Sequence, residues 1–139
     1  AVDFDGDNLV DIWNNPTDAI GSVANFLYKK GKWKKDQPVA TRAHIKESVN
    51  IDGLNKMRRP KKTIADMEKQ GFIPAQNYAK DSLAFPMMLS GKYGDEYWLG
   101  LYNFYAIGRY NPRIKYAMAV YQLGLEIREQ RCEIVKNCD

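Results

Sequence analysis

The sequence predicts an α+β fold, and three observations support this prediction. The 139-residue chain opens with Asp-Phe-Asp-Gly-Asp, which has the spacing of a calcium loop. Segments that alternate like strands occupy its middle, and segments with helical periodicity lie on either side. We therefore expect an EF-hand-like ion loop with a helix over residues 1–36, an α+β insert with a small antiparallel β-sheet over 37–101, and an aromatic segment with a long helix over 102–139.

Composition and charge fit one globular domain with a real core, since 45% of the residues are hydrophobic. No apolar run approaches the ~20 residues that a membrane helix needs. The net charge is +4, and two basic runs lie over residues 29–35 and 56–62. Each run is either a solvated face or a surface attracted to an anionic polymer or membrane. No nucleic-acid-binding signature accompanies them, so we expect no nucleic acid partner.

The acidic loop is the first element. Asp3, Asp5 and Asp7 occupy positions one, three and five of a calcium loop, and Leu9 would offer its carbonyl at position seven. Asn8 replaces the usual glycine and tolerates a left-handed backbone. The glutamate expected at position twelve is absent. The alternative is an Asp-rich surface turn, but like charges so close repel one another unless a cation or open solvent separates them. We expect Ca²⁺, with Na⁺ as the alternative ion.

A helix start follows the loop, because Asn15 can cap, Pro16 suits the first position and Asp18 falls in the first turn. Gly31 is expected to end this helix. An apolar stripe runs along it at helical spacing, formed by Ile20, Val23, Ala24 and Leu27.

The middle of the chain contains signals for strands and for one short helix. Residues 39–45 alternate like a strand, and Thr63 with Asp66 resembles a capping box that begins a helix ending at Gly71. Residues 82–89 and 96–101 are predicted to be the strands of a hairpin that turns within 91–94. Pro86 is compatible with an edge or a bulge of that hairpin.

An aromatic segment precedes the last helix, with five of the nine tyrosines between residues 102 and 122. Asn111 and Pro112 are predicted to start the helix, which runs to about residue 135 and contains Gly124 as a point of close packing. Rings beside amides and a guanidinium suit a neutral polyhydroxyl ligand. Tyr110, Asn111 and Tyr116 are therefore predicted to form a ligand site. Other residues of the segment are predicted to be core, namely Phe104, Ile107, Met118 and Val120.

Two stretches resemble a known family, the membrane-bound lytic murein transglycosylase B family. The C-terminal end of this family resembles the following run of the chain: Asn103-Phe104-Tyr105-x-Ile107-x-Arg109-Tyr110-Asn111-x-x-x-x-Tyr116-Ala117-Met118-Ala119-Val120-x-Gln122-Leu123. Its ion loop and following helix are similar to residues 1–7, Trp13 and residues 18–25. The resemblance spans nearly the whole chain and is weakest between residues 34 and 81. It implies that the two helical parts belong to the C-terminal part of a lysozyme-like helical domain.

The resemblance also implies an activity. Members of this family cleave the β-1,4 bond between N-acetylmuramic acid and N-acetylglucosamine in peptidoglycan, and attack by the muramyl 6-hydroxyl gives a 1,6-anhydro product. It implies a periplasmic location, glycan strands as the partner and peripheral outer-membrane association of the parent protein. The family's acid/base glutamate lies in a Glu-Ser-x-x-Gly-Ala-Met-Gly segment upstream of the ion loop, and these 139 residues contain no such segment.

We therefore assign no catalytic residue and expect the chain to be an inactive C-terminal portion of its parent protein. Its helices are expected to expose apolar faces through which it forms a dimer or captures a partner. The rival interpretation, from another functional class, is a non-catalytic, calcium-stabilised cell-wall-binding or adhesion module.

The family pattern assigns further residues. Tyr110, Asn111 and Tyr116 would face the sugar, with Arg109 as a supporting contact and Asn25 and Phe26 beside them. Phe26 stands where family members commonly have tyrosine, so one hydrogen bond to substrate is lost. An aspartate that closes the family's lengthened ion loop corresponds to Asp18.

Two cysteines lie near the C-terminus, and two outcomes are open for them. Cys132 and Cys138 could close a small loop in an oxidising compartment or stay free in a reducing one. The family's envelope location favours the disulfide, but so short a loop at a frayed end would stabilise little.

Overall fold

A computed structural model describes residues 1–136 and Cys138. Its elements in chain order are α1 (Pro16–Lys29), β1 (Ala40–Ile45), β2 (Lys62–Thr63), α2 (Ile64–Lys69), β3 (Phe72–Pro74), β4 (Leu83–Gly91), β5 (Gly94–Leu101), α3 (Tyr102–Gly108) and α4 (Ile114–Val135). The predicted mixture of helices with an antiparallel sheet is confirmed. No helix among these residues is both long enough and apolar enough to cross a membrane.

The five strands form one antiparallel sheet with the order β2-β4-β5-β1-β3. The predicted hairpin is β4-β5, and it turns more tightly than expected, because Gly91 pairs with Gly94 and only two residues remain in the turn. Gly94 has a φ of 121°, which favours glycine. Strand β4 pairs with β2 only through Leu83 and Ala84. Pro86 follows this paired part, where only β5 pairs with β4, so its predicted edge position is confirmed.

Successive residues of β4 point to opposite faces of the sheet, and each face has its own core. On one face, Phe85 and Met87 pack with residues of α3 and α4, among them Phe104, Ile114, Ala117 and Met118. On the other face, Ala84 packs with a second group that contains Leu54, Ile64, Met67, Phe72 and Leu99. The sheet therefore fixes the position of α3 and the first turns of α4.

Helix α1 begins as predicted, since the Asn15 side chain accepts the N–H groups of Thr17 and Asp18. It ends two residues before Gly31. Most of its apolar stripe faces outward, with Ile20 70% and Val23 61% exposed, and only Leu27 packs against the core. This stripe is an open apolar surface on the described residues.

The start of the last helix differs from the prediction. Helix α4 begins at Ile114 rather than Pro112, because Arg113 is still extended. The Asn111 Oδ1 atom accepts the Arg113 N–H at 3.2 Å, which forms a turn ahead of the helix and leaves no side chain as its cap. The inference of close packing at Gly124 is wrong, since nothing lies within 4 Å of a Cβ built there.

Helix α3 was not predicted, and a buried amide secures it. Asn103 is fully buried, and its Oδ1 atom accepts the Lys34 N–H at 2.8 Å. Its Nδ2 atom donates to the carbonyl oxygens of Lys34 and Gln37 at 2.8 and 3.0 Å. One side chain thus holds the loop after α1 against the start of α3.

The C-terminal half of α4 extends away from the sheet and is mostly exposed. Cys132 and Cys138 are joined there as a disulfide, with their Cα atoms 5.0 Å apart. Of the two outcomes left open by the sequence, the structure has the bonded one.

Candidate functional site

Three aromatic rings form a line where α1 approaches the start of α4. Phe26 meets Tyr110 edge to face, with ring centroids 5.5 Å apart. Tyr110 stacks on Tyr116 with centroids 6.1 Å apart and planes 24° from parallel. These rings line the aromatic cleft, an open pocket of ≈ 380 Å³. The structure thus brings Phe26 together with Tyr110 and Tyr116, which are more than 80 residues away in sequence, and all three were predicted as site residues.

The tyrosine rings are available for contact with a ligand. Tyr110 is held by a bond from its N–H to the Ile107 carbonyl at 3.0 Å, yet its side chain is 66% exposed. Tyr116 is 36% exposed. Apolar side chains complete the cleft, among them Ile12, Val23, Leu27 and Val120. Ring faces framed by aliphatic groups suit the apolar face of a sugar.

The other predicted contact residues do not line the cleft. Asn111 is half-buried, and its Oδ1 atom accepts the backbone N–H of Arg113. Arg109 is exposed, and Asn25 is half-buried on α1. All three lie in sequence next to a lining residue, so they stay predictions as supporting contacts.

Two groups of residues depart from the sequence interpretation. The core prediction is confirmed for Phe104, Ile107 and Met118 but is wrong for Val120, which is 37% exposed and lines the cleft. Ser22 and Val23 also line it and were missed as site residues. Their spacing of three and four residues before Phe26 places them on the same helix face, and that signal could have found them.

No carboxylate is among the residues that line the aromatic cleft. The glutamates lie elsewhere on the described chain. Glu68 forms an ion pair with Lys80, and Glu96 forms one with Arg42 at 2.6 Å. The others, Glu47, Glu126, Glu129 and Glu133, are exposed. The cleft therefore offers aromatic and apolar surface to a ligand, but none of the residues that line it has a carboxyl group to act as the acid.

The ion loop is the second candidate site. One carboxylate oxygen from each of Asp3, Asp5 and Asp7 lies within 4.8 Å of the other two. Two ligands on one Ca²⁺ with bonds of about 2.4 Å cannot be further apart than about 4.8 Å, so these spacings fit a shared ion. Gly6 and Asn8 have φ values of 81° and 71°, and Asn8 thus has the predicted left-handed backbone.

Asp18 has a different role in the structure from the predicted ligand. It is fully buried, and it is not part of the group formed by Asp3, Asp5 and Asp7. Its Oδ1 atom accepts the Phe4 N–H at 2.7 Å, and its Oδ2 atom accepts the Asp11 N–H at 2.9 Å. These two bonds hold the pKa of Asp18 below its ordinary value. Asp18 therefore fastens both ends of the loop to α1.

Comparison with known proteins places this geometry in a family. The model of the transglycosylase SLT domain family matches residues 1–125. The chain is 39% identical over 133 residues to the membrane-bound lytic murein transglycosylase B of Escherichia coli K12, covering 96% of this chain and 35% of that protein. It thus spans about a third of that relative's length.

Solved structures agree with this match. The catenated lytic transglycosylase SltB1 of Pseudomonas aeruginosa superposes with a TM-score of 0.85 at 40% identity, over 94% of this chain and 43% of that one. The Escherichia coli lytic transglycosylase Slt35 in complex with calcium superposes with a TM-score of 0.78 at 39% identity, over 94% and 40% of the two chains. With its sequence and fold both matched over most of its length, the chain belongs to the transglycosylase SLT domain family.

Proposed function

We propose that the chain contributes part of the glycan cleft and an ion site to a peptidoglycan lytic transglycosylase. The parent enzyme would cleave the β-1,4 bond between N-acetylmuramic acid and N-acetylglucosamine, with the muramyl 6-hydroxyl attacking to give a 1,6-anhydro product. The observation that carries the proposal is the line of Phe26, Tyr110 and Tyr116 in an open cleft of a chain from this family. Their role is to bind and orient the glycan.

A relative supports the proposed ligand class. SltB3 of Pseudomonas aeruginosa, 32% identical over 86% of this chain, was solved in complex with NAG-anhNAM-pentapeptide. In our proposal the Tyr110 and Tyr116 faces stack on sugar rings, because both rings are exposed and nearly parallel. Asn25, Arg109 and Asn111 would contact hydroxyl and N-acetyl groups at the margin of the cleft.

The ion site would hold Ca²⁺ through Asp3, Asp5, Asp7 and the Leu9 carbonyl, with Na⁺ as the alternative ion. The fit of the three carboxylates to a shared ion supports this assignment, as does the calcium bound by Slt35. Asp18 would support the loop from behind instead of acting as a ligand. When bound, the ion neutralises the clustered carboxylates and fixes the loop beside α1.

The expected setting is the bacterial periplasm. The relatives are bacterial murein enzymes, so the substrate of the proposed enzyme is a glycan strand of the cell envelope. Peripheral outer-membrane association of the parent, and dimerisation or capture of a partner through apolar helix faces, stay part of the proposal.

A second function is favoured by one observation. No carboxylate lines the aromatic cleft, so the same residues would also suit a non-catalytic, calcium-stabilised cell-wall-binding or adhesion module. Both candidates require glycan binding at the three rings, and only the enzyme requires cleavage by the parent protein.

NMR titration with chitooligosaccharides tests the site that the two candidates share. We expect shifts at Phe26, Tyr110 and Tyr116, and a loss of about tenfold or more in affinity for Tyr110→Ala, because one stacked ring contributes on the order of 1–2 kcal/mol. Tyr93→Ala is the matched control, since Tyr93 is 92% exposed in the β4-β5 turn. Unchanged spectra at millimolar ligand would remove the cleft assignment. Release of 1,6-anhydromuropeptides from peptidoglycan by the parent protein then separates the enzyme from the module.

A further inference from the structure

A second open groove lies on the other side of the first turn of α4. It measures ≈ 480 Å³ and is bounded by the loop between β1 and β2, by β4 and by the start of α4. Its apolar floor is formed by Met57, Met88, Leu89 and Ile114. None of the proposed sugar contacts lines it, although Pro112 and Arg113 follow Asn111 directly in sequence. We call it the basic groove.

Three cations stand on the rim of this groove, namely Lys56, Arg113 and Lys115. All three side chains are exposed, and neither of the ion pairs found among the described residues involves them. No carboxylate is among the lining residues. The positive end of the uncapped α4 adds to the same field. The groove therefore attracts an anionic ligand that also has small apolar groups.

We propose that the basic groove binds an acidic peptide, and specifically the peptide stem carried by muramic acid. This assignment rests on the proposed function for the identity of the peptide. A stem has alanine methyl groups for the methionine-rich floor and free carboxylates for the cationic rim. Methionine side chains adapt to irregular apolar partners, which suits a flexible peptide.

The two sites are placed so that one substrate reaches both. Ile114 and Lys115 line the basic groove, whereas Tyr116 and Val120 line the aromatic cleft. They flank one turn of a single helix, whose diameter with side chains is about 10–12 Å. An extended pentapeptide spans up to about 17 Å. A stem that leaves a sugar in the cleft can therefore extend around the start of α4 into the groove.

The test uses the full chain and a synthetic stem pentapeptide without its sugar. Calorimetry or NMR should detect binding that weakens between 50 and 500 mM salt, and the same peptide with amidated carboxylates should bind far more weakly. The double variant Arg113→Gln/Lys115→Gln should weaken binding roughly tenfold, since two exposed charge contacts are lost. The matched control is Arg128→Gln/Arg131→Gln, which removes the same charge from the exposed end of α4.

Three results would overturn the inference. The first is that the two double variants weaken peptide binding equally, and the second is that the amidated peptide binds as tightly as the free acid. The third is that Arg113 and Lys115 bind vesicles of anionic lipid while the chain does not bind the peptide. Circular dichroism of each variant checks that α4 is intact. Peptide binding without any glycan shifts at Tyr110 supports the groove and contradicts the proposed cleft. Glycan shifts without peptide binding do the reverse.

Discussion

The Oδ1 atom of Asp18 accepts the Phe4 N–H at 2.7 Å, and this bond joins the ion loop to the first turn of α1. The second oxygen of Asp18 accepts the Asp11 N–H from the far side of the loop. A carboxylate that satisfies two backbone donors in a buried position is a structural clamp. The loop is therefore held in shape from behind, while the carboxylates of Asp3, Asp5 and Asp7 lie together on its other side. Loop N–H groups donate to all three of them, and the Asn15 side-chain amide also donates to Asp5.

This arrangement predicts that calcium stabilises the folded chain and that two aspartates respond differently to substitution. The melting temperature should rise with calcium, since an ion bound only by the folded state adds about 2.7 kcal/mol at a hundredfold excess over Kd. Asp5→Asn should abolish the rise and change little in chelator, because Asp5 is exposed and water can replace its bonds to the Asp7 N–H and the Asn15 amide. Asp18→Asn should lower the melting temperature in both conditions. The substitution replaces one carboxylate oxygen by an amide nitrogen, which cannot accept a backbone N–H.

Differential scanning calorimetry with calcium and with chelator makes this comparison. Asp52→Asn, in an exposed turn outside the loop, serves as the control. An equal melting temperature with and without calcium would contradict the ion site. Identical behaviour of Asp5→Asn and Asp18→Asn would contradict the separation of their roles.

A second prediction concerns acid and the capping box of α2. The Thr63 N–H and hydroxyl donate to Asp66, and these bonds lower the pKa of Asp66 from its ordinary value of 3.8. A pKa that is lower in the folded state gives stability that is present above about pH 4 and is lost as the pH falls through the folded value. Asp66→Asn should therefore flatten the acid side of the stability profile. Urea unfolding between pH 2 and 7 measures this, and a slope as steep as that of Asp52→Asn would argue against it.

A third prediction concerns the buried amide of Asn103. Its three hydrogen bonds go to backbone groups of Lys34 and Gln37. Asn103→Leu has a similar volume but leaves those groups unpaired, so we expect a loss of about 2–4 kcal/mol in the free energy of unfolding. Asn77→Leu, at an exposed position in the loop before β4, is the control. A change below 1 kcal/mol in the free energy of unfolding for Asn103→Leu would show that the backbone groups of Lys34 and Gln37 pair with water instead.

The fourth prediction uses two glycines that respond in opposite directions to the same substitution. A Cβ on Gly100 would lie 2.6 Å from the ring of Phe85, which is buried and cannot move away. Gly100→Ala should therefore cost about 1–3 kcal/mol. A Cβ on Gly124 meets open space in a helix, so Gly124→Ala should stabilise by up to about 1 kcal/mol. Chemical denaturation gives both values, and the same sign for both would refute this account.

Local signals in the sequence were sufficient for the elements that carry their own caps. Asn15 and Thr63 both cap helices where predicted, because a cap depends only on the next three residues. Helix α3 has no such cap, since Leu101 precedes it without a side-chain bond. Its formation depends on packing of Phe104 against the sheet, which sequence periodicity over seven residues cannot reveal.

The site shows the same division between local and distant causes. Tyr110 and Tyr116 could be nominated from residue type, but their stacking requires the turn at Asn111 that also displaces the predicted helix start. Val120 was predicted as core because apolar residues are usually buried. It lies at the cleft because the described chain places nothing over that part of α4. Burial depends on tertiary partners, and a single sequence does not specify them.

The final prediction is that the isolated 139-residue chain releases no 1,6-anhydromuropeptides from peptidoglycan. Its cleft has aromatic rings for binding but no carboxylate among its lining residues. Without a positioned proton donor, general acid catalysis is forfeited, which typically costs ~10²–10⁴-fold in rate. Mass spectrometry of purified peptidoglycan incubated with the chain measures this, with the Escherichia coli relative as the positive control.

Lytic products from the purified chain would contradict this prediction. The substitution to make first would then be Glu96→Gln, because Glu96 is half-buried and accepts a bond from the Trp98 Nε1–H at 3.3 Å. Glu129→Gln, on the exposed end of α4, would be its control. Activity that survives both changes would exclude Glu96 and Glu129 as the acid. Binding without cleavage is the result that we expect, because in our proposal the glycan-binding residues lie on this chain and the acid lies elsewhere in the parent enzyme.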